Sequence, residues 1–305
     1  MITFLLLVKC MYAAPVMDTR IIGGDDIHIS EYPATVSLNV YRSTHICGGT
    51  IIGSRWVLTA AHCIDPSNKP NFYSINLNST FIGDNSLIDY IIKDYIIHPD
   101  YNEYDITSDI AILELERDIS ERVKKTVISI NEPDVGESAH TIGWGVIGYF
   151  EGDGFLPEHL QYTTGVIMST YHCEKFVRRP GVVCFDPREG STTCSGDSGT
   201  GLYNDDDILI GVTSFGYSNR NTGECMEEAP SGFARTDHFI DFICNYTDSS
   251  VEYTGGSCED PPPKREKPSP QFIIFGAVVG VVVLGVSLSV IFGYCFQRRT
   301  RELNS

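Results

Sequence analysis

The stretch Trp56-Val57-Leu58-Thr59-Ala60-Ala61-His62-Cys63 runs an apolar strand into a turn of small residues that delivers a histidine and a cysteine. Working outward from it, other short segments of the same kind appear. Thr35-Val36-Ser37-Leu38-Asn39-Val40-Tyr41 alternates apolar and polar as a half-buried strand does, while Ile110-Ala111-Ile112-Leu113 and Ile208-Leu209-Ile210-Gly211-Val212 read as strands covered on both faces. Phe239, Phe242 and Ile243 fall at helical spacing after Asp237. There is no self-similarity at a period of about 20 to 50 residues. The pattern predicts an all-β domain closed by one terminal helix.

Composition narrows the class. The chain has 305 residues, 42% of them hydrophobic and 20% charged, with 28 Gly and 15 Pro, which suits a turn-rich globular domain and excludes a disordered or coiled-coil chain. The formal charge of −18 is opposite in sign to what a phosphate backbone attracts, so a nucleic-acid partner is not expected. Between 21 and 271 the acidic excess is larger still, 38 acidic against 17 basic residues.

The two ends read as targeting segments. Residues 1–14, with Phe4-Leu5-Leu6-Leu7-Val8 and then Ala13-Ala14, fit a short signal peptide, although Lys9 interrupts the apolar run and no basic residue precedes it. Residues 15–20 would then form a propeptide. Residues 272–296 hold no charge, and at about 1.5 Å per residue such a helix exceeds the hydrocarbon core of a bilayer. Arg298, Arg299 and Arg301 follow as a stop-transfer flank, with 297–305 as a cytoplasmic tail, and the signal peptide sets the orientation as single-pass with the N-terminal side outside. A lipid-anchor signal would end in its apolar tail, whereas this chain ends in polar residues. From Asp248 the chain turns rich in Gly, Pro and acidic residues, so 248–271 reads as an extended stalk and the globular domain as 21–247.

Cysteines at 47, 63, 173, 184, 194, 225, 244 and 258 make an even set in an exported domain, which favours disulfides over metal ligation, and no tight pair of CxxC motifs suggests zinc. Number and spacing alone do not fix their pairing. The sequons at Asn78 and Asn245 fit glycosylation of the same exported domain.

Three places carry groups that could do chemistry: His62, Ser108-Asp109 ahead of the 110–113 strand, and Cys194-Ser195-Gly196-Asp197-Ser198-Gly199. Taken singly each has an ordinary structural reading, as a packed histidine, a strand-capping aspartate and a glycine-rich loop. Taken together, the order Arg20-Ile21-Ile22-Gly23-Gly24, TAAHC, SDIAIL, Gly143-Trp144-Gly145, GDSG and Ser214-Phe215-Gly216 resembles the chymotrypsin-like (trypsin-fold) serine proteases over 21–246. Segments 209–214 and 230–235 look most like arthropod digestive members.

The resemblance implies two antiparallel β-barrels with a C-terminal helix and peptide-bond hydrolysis between them, without a cofactor or metal. It casts Ser198 as nucleophile, His62 as general base and acid, and Asp109 as the group that orients the histidine. Gly196 and Ser198 would supply the backbone N–H donors to the oxyanion, and Ser214 would support Asp109. It implies the pairs Cys47–Cys63, Cys173–Cys184 and Cys194–Cys225. This leaves Cys244 and Cys258 to pair with each other or to bridge to a second chain. Cleavage after Arg20 would free the Ile21 amine to pair with Asp197. The specificity pocket would have Thr192 at its base with Gly216 and Ser231 on its walls, which predicts apolar substrates, Leu before Phe or Tyr. Basic specificity would follow instead if Glu189, Glu227 or Glu228 reached in. The implied partners are protein or peptide substrates, a trypsin-like activating protease, and serpin or Kunitz-type inhibitors.

One departure from the family pattern lies beside the nucleophile, where Thr200-Gly201 stand in place of the usual Gly-Pro. It puts packing near Ser198 in question. The competing function class is a catalytically inactive, membrane-displayed binding protein with a protease fold.

Overall fold

The computed structural model describes residues 21–82, 89–173, 180–227 and 229–260, the side chains of 172 and 173 excepted. The short apolar segments become strands of two antiparallel barrels. In the first, β1 (Thr35–Val40), β2 (Thr44–Ile51), β3 (Trp56–Thr59), β4 (Tyr73–Leu77), β5 (Tyr90–Ile97) and β6 (Ala111–Leu115) close in the order β1-β2-β3-β6-β5-β4. The second holds β7 (Ser138–Gly143), β8 (Gln161–Met168), β9 (Val182–Pro187), β10 (Gly201–Asn204), β11 (Leu209–Phe215) and β12 (Ser231–Arg235), in the order β7-β8-β9-β12-β11-β10 with β10 back on β7. The two barrels therefore share one strand order, although their sequences do not repeat.

Side-chain alternation along each strand sorts the apolar residues into separate cores. Val36, Leu38, Val57, Ile75 and Leu113 fill the first barrel, and Ile167, Val183, Phe185, Leu202 and Phe233 the second. The intervening residues Trp56, Leu58, Ile110 and Ile112 turn the other way, into a third cluster with Ile142, Trp144 and Val212 of the second half. This explains why segments 56–58 and 110–113 are apolar on both faces. β1 differs from its half-buried reading, because Thr35, Ser37 and Asn39 are buried as well. Two of them are satisfied inside: Ser37 Oγ lies 2.8 Å from His45 Nδ1, and Asn39 Nδ2 donates to the Ser37 carbonyl at 2.9 Å and to Asn76 Oδ1 at 3.0 Å.

The terminal helix, Thr236–Tyr246, buries Phe239, Ile240, Phe242 and Ile243 against the inter-barrel cluster. Asp237 in its first turn complements the helix dipole and takes two hydrogen bonds from Arg235, from Nε at 2.9 Å and from Nη2 at 3.0 Å.

The chain beyond the helix corrects the stalk boundary. Residues 248–260 are folded rather than extended: Glu252–Tyr253 and Gly256–Ser257 pair as a small hairpin, and Cys258 is bonded to Cys244 on the helix. Val251 is fully buried, and Val251 and Tyr253 join the cluster that holds Trp56 and Ile128. Backbone bonds fasten the segment, from Ile128 N–H to the Glu252 carbonyl (3.0 Å) and from Thr254 N–H to the Ile128 carbonyl (2.9 Å). A few apolar side chains and one disulfide suffice to dock a segment whose composition reads as linker. Any stalk begins after 260.

Residues 1–20 and 261–305 lie outside the described residues, so the signal, propeptide, transmembrane and tail readings fall there. Among the described residues no helix is long and apolar enough to cross a membrane.

Candidate active site

The register of β3 on β6 brings the histidine to the aspartate. Thr59 stands opposite Ala111, so the turn after β3 and the residues before β6 meet at one end of the barrel. There the short 3-10 turn Ala61–Cys63 presents His62, and its imidazole Nδ1–H donates to Asp109 Oδ2 at 2.8 Å while its backbone N–H donates to Oδ1 at 2.9 Å. Asp109 is buried, and Ser214 Oγ on β11 donates to the same Oδ2 at 2.5 Å. A carboxylate holding three donors can only accept, so the histidine carries its proton on Nδ1 and leaves Nε2 as the basic atom. The Cys47–Cys63 disulfide pins this turn to β2.

Ser198 enters the same cleft from the loop before β10. Its carbonyl accepts the Gly48 N–H at 2.7 Å and lies 3.9 Å from Cys63 Sγ, next to His62. The Ser198 hydroxyl and His62 are not hydrogen-bonded to each other among the described residues. The loop is fixed by the Cys194–Cys225 disulfide and by Asp197, whose buried carboxylate accepts Gly145 N–H at 2.7 Å and Cys194 N–H at 2.9 Å. A Cβ on Gly143 or Gly145 would stand 2.1 or 2.3 Å from Asp197 oxygens, which accounts for glycine on both sides of Trp144. Burial lifts the Asp197 pKa from 3.8 to about 6, with the two N–H donors pulling it part of the way back. No cation pairs with it among the described residues. Ile21 is fully buried, and Arg20 lies outside the described residues.

Gly196 adopts φ +101, a left-handed conformation that suits glycine. Its carbonyl accepts from His45 Nε2 at 3.1 Å. Burial pushes the His45 pKa down to about 4, so the ring is neutral: Nε2 carries the proton and Nδ1 accepts from Ser37. No sequence motif pointed to His45. The one signal was its place in a strand whose partner carries a buried serine.

A cavity of about 260 Å³ opens beside Ser198, lined by Thr193, Ser214, Gly216, Tyr217 and the Cys194–Cys225 bridge, with no carboxylate in its wall among the described residues. Of the three residues expected to form the specificity pocket, Gly216 lines it. Thr192 and Ser231 are buried and not among its lining residues, which include Thr193, whose Oγ1 donates to Ser231 Oγ at 2.7 Å. Glu189 and Glu227 are exposed and away from the lining, and Glu228 lies outside the described residues. A larger cavity of about 770 Å³ opens on the other side of His62, with Ile46, Phe72 and Tyr101 among its walls and Asp65 and Glu103 on its border.

The sulfurs of Cys47 and Cys63 cluster with a His62 nitrogen within 4.8 Å, but the two are joined to each other and have no thiolate to offer a metal. Cys184 is also disulfide-bonded, and its expected partner, Cys173, has a side chain outside the described residues. Asn78 is exposed at a left-handed turn, and Asn245 is exposed on the terminal helix.

Comparison with known proteins matches residues 21–243 to the family model described as Trypsin. The chain is 29% identical over 235 residues to brachyurin from Leptuca pugilator, covering 74% of this chain and 98% of that protein. It is 33% identical over 213 residues to a vitellin-degrading protease from Bombyx mori, covering 66% and 78%. Among solved structures, that of neuropsin, a serine protease expressed in the limbic system of mouse brain, superposes with a TM-score of 0.64 at 27% identity, covering 74% of this chain and 99% of that one.

Proposed function

The chain belongs to the trypsin family of chymotrypsin-like serine proteases and is a serine endopeptidase, and from that premise we propose that it works through Ser198, His62 and Asp109 at the cell surface. The observation that carries the reading is the His62 Nδ1–Asp109 Oδ2 bond, backed by Ser214, in the cleft that holds Ser198. With Nδ1 occupied, His62 Nε2 takes the Ser198 proton as Oγ attacks the scissile carbonyl, and then returns it to the departing amine. Asp109 stabilises the imidazolium in between. The Gly196 and Ser198 N–H groups receive the oxyanion, and the Gly196 carbonyl, in the peptide that follows, is fixed by His45. Water then repeats the sequence against the acyl-enzyme. Labelling by a serine-directed phosphonate of the trypsin-treated chain, and its loss in Ser198→Ala, tests this. An unlabelled wild type would support the inactive binding-protein reading instead.

The neutral wall of the 260 Å³ cavity supports a preference for apolar side chains before the scissile bond, Leu first and Phe or Tyr next. A buried Lys or Arg would find no counter-charge there among the described residues, and an unpaired buried cation costs several kcal/mol. A peptide-library profile should therefore favour Leu, Phe and Tyr over Arg and Lys by at least about tenfold. A profile led by Arg and Lys would reject the assignment.

Export by residues 1–14, activation by cleavage after Arg20, glycosylation at Asn78 and Asn245, and single-pass anchoring by 272–296 complete the proposal. Lys264-Arg265 follows the described residues in the sequence. Mild trypsin on intact cells should release an active fragment that retains 248–260, since that segment is docked and disulfide-bonded. Activity that stays with the membrane after Lys264-Arg265 is cut would show that the tether is elsewhere.

A further inference from the structure

Thr200, where the family pattern has glycine, is fully buried two residues beyond Ser198, and both ends of its side chain are fitted. Its methyl fills space that two glycines leave open, one in each barrel. A Cβ on Gly48 of β2 would stand 2.1 Å from Thr200 Cγ2, and one on Gly143 of β7 3.3 Å from it. Its hydroxyl donates to the Asp197 carbonyl at 2.7 Å, the same oxygen that accepts the Thr200 N–H at 3.0 Å. That N–H bond closes a four-residue turn with Ser198 and Gly199 at its centre, and Gly199 takes φ +85 there. The hydroxyl is a second bond across the same turn.

Thr213 Oγ1 on β11 lies 2.9 Å from Thr200 Oγ1 and 3.1 Å from the Thr200 carbonyl, and because the Thr200 hydroxyl proton is given to Asp197, the Thr213 hydroxyl is the donor to these two Thr200 oxygens. Backbone bonds run alongside, from Thr213 N–H to Thr200 O and from Gly199 N–H to Thr213 O, each 2.8 Å. Thr213 immediately precedes Ser214, the residue that holds Asp109. One buried hydroxyl thus touches both the turn that presents Ser198 and the strand that supports the His62–Asp109 pair.

We propose that Thr200 is a positioning residue for the reaction, its hydroxyl fixing the Ser198 turn and fastening it through Thr213 to the strand that carries Ser214. The inference rests on the reading of Ser198 as the nucleophile. Without the hydroxyl, the turn keeps its backbone bond but loses its second one and its side-chain link to β11. The freedom gained falls on Ser198 Oγ and on the Ser198 N–H aimed at the oxyanion. Misplacement of a reacting group by about 1 Å costs on the order of a hundredfold in rate, so a modest loosening shows in turnover.

The test uses the full-length chain in detergent, activated with immobilised trypsin, and compares Thr200→Val, which keeps the shape, with Thr200→Ser, which keeps the hydroxyl. Thr200→Val is expected to lower kcat about 10- to 100-fold with KM within about twofold, and to weaken a peptide boronic acid, which forms a tetrahedral adduct, by a similar factor. Thr200→Ser is expected to recover kcat to within about threefold of wild type while melting at a lower temperature, because the methyl leaves a void. Wild-type turnover in Thr200→Val, with a fall in melting temperature only, would reduce Thr200 to a packing role and overturn the proposal. So would a Thr200→Ser enzyme as slow as Thr200→Val. If Thr200→Val does not accumulate folded, Thr200→Ser against Thr200→Ala makes the same comparison, and equal kcat in those two overturns it. Ser198→Ala is run beside them. If it is inactive while Thr200→Val is normal, this inference alone fails, and if it retains wild-type hydrolysis the nucleophile reading fails with it.

Discussion

Ser198→Ala in the trypsin-activated chain is expected to lower kcat about a millionfold with little change in KM. The hydroxyl forms its bond to substrate only on the way to the transition state, so its removal leaves ground-state binding in the neutral cavity intact. The residual rate should come from the Gly196 and Ser198 N–H groups and from substrate positioning, since neither depends on the side chain removed. The effect is this large because His62 has no role without the hydroxyl: His62→Ala and the double variant should fall to nearly the same level rather than multiply. Hydrolysis of a Leu or Phe peptide, with active sites counted by phosphonate titration, is the measurement. A loss under about a thousandfold, with the serine gone, would point to another nucleophile.

Arg20→Gln is expected to leave the chain inactive after trypsin treatment, whereas wild type gains on the order of a hundredfold. The size comes from Asp197. Burial without a cation raises its pKa from 3.8 to about 6, a cost of about 3 kcal/mol at neutral pH, or roughly a hundredfold in the population of the ordered loop. An amine freed at Ile21, whose side chain is already buried, would supply the missing charge. The pH dependence follows in sign. In the uncut chain the burial cost is full above about pH 6 and disappears as the pH falls towards 4, so acid relieves it. After cleavage, an ammonium held by Asp197 has a folded pKa raised above its unfolded value near 8. Its stabilisation is complete below that value and is lost as the pH rises through the folded one. Cleaved enzyme should therefore show an alkaline limb in activity and in thermal stability that the Arg20→Gln chain lacks. Equal hydrolysis by the two after trypsin would remove the activation proposal. On the proposed neutral specificity, arginine would be accepted poorly, and a separate basic-specific protease would be the expected activator.

Much of the cleft was legible because its chemistry sits on short, local signals. His62 ends an apolar strand, Asp109 begins another, and the pairing of those two strands converts proximity to strand ends into proximity in space. The terminal helix was readable from Phe239, Phe242 and Ile243 for the same local reason. The common strand order of the two barrels was not, because it depends on pairings between distant segments whose sequences do not resemble each other. Side-chain direction was a second limit. Thr192 and Thr193 are adjacent and both buried, and only the folded backbone decides which of them lines the cavity. Segment 248–260 was misread because its anchors, Val251, Tyr253 and Cys258, are sparse among glycines and acids, and sparse apolar residues have no period to detect. The space for the Thr200 methyl was not legible because it is left by Gly48 and Gly143, which lie far from it in sequence.

The Cys244–Cys258 bond also decides how the domain would carry mechanical load. A pull on the chain beyond 260 meets Asp260, hydrogen-bonded to Tyr253 and Ser257, and then passes at Cys258 through the disulfide into Cys244, within the terminal helix, so the covalent path bypasses the loop between them. The 252–257 hairpin and the buried Val251 stay seated while the helix, packed by Phe239, Ile240 and Ile243, takes the strain. With the bond reduced, the same pull would peel the segment off one backbone bond at a time, beginning at Asp260, whose N–H donates to the Ser257 carbonyl at 3.1 Å, and then at Cys258, whose N–H donates to the Val251 carbonyl at 3.0 Å. A load applied at the C-terminal end would in this way enter the domain through the terminal helix rather than through the loop between Cys244 and Cys258.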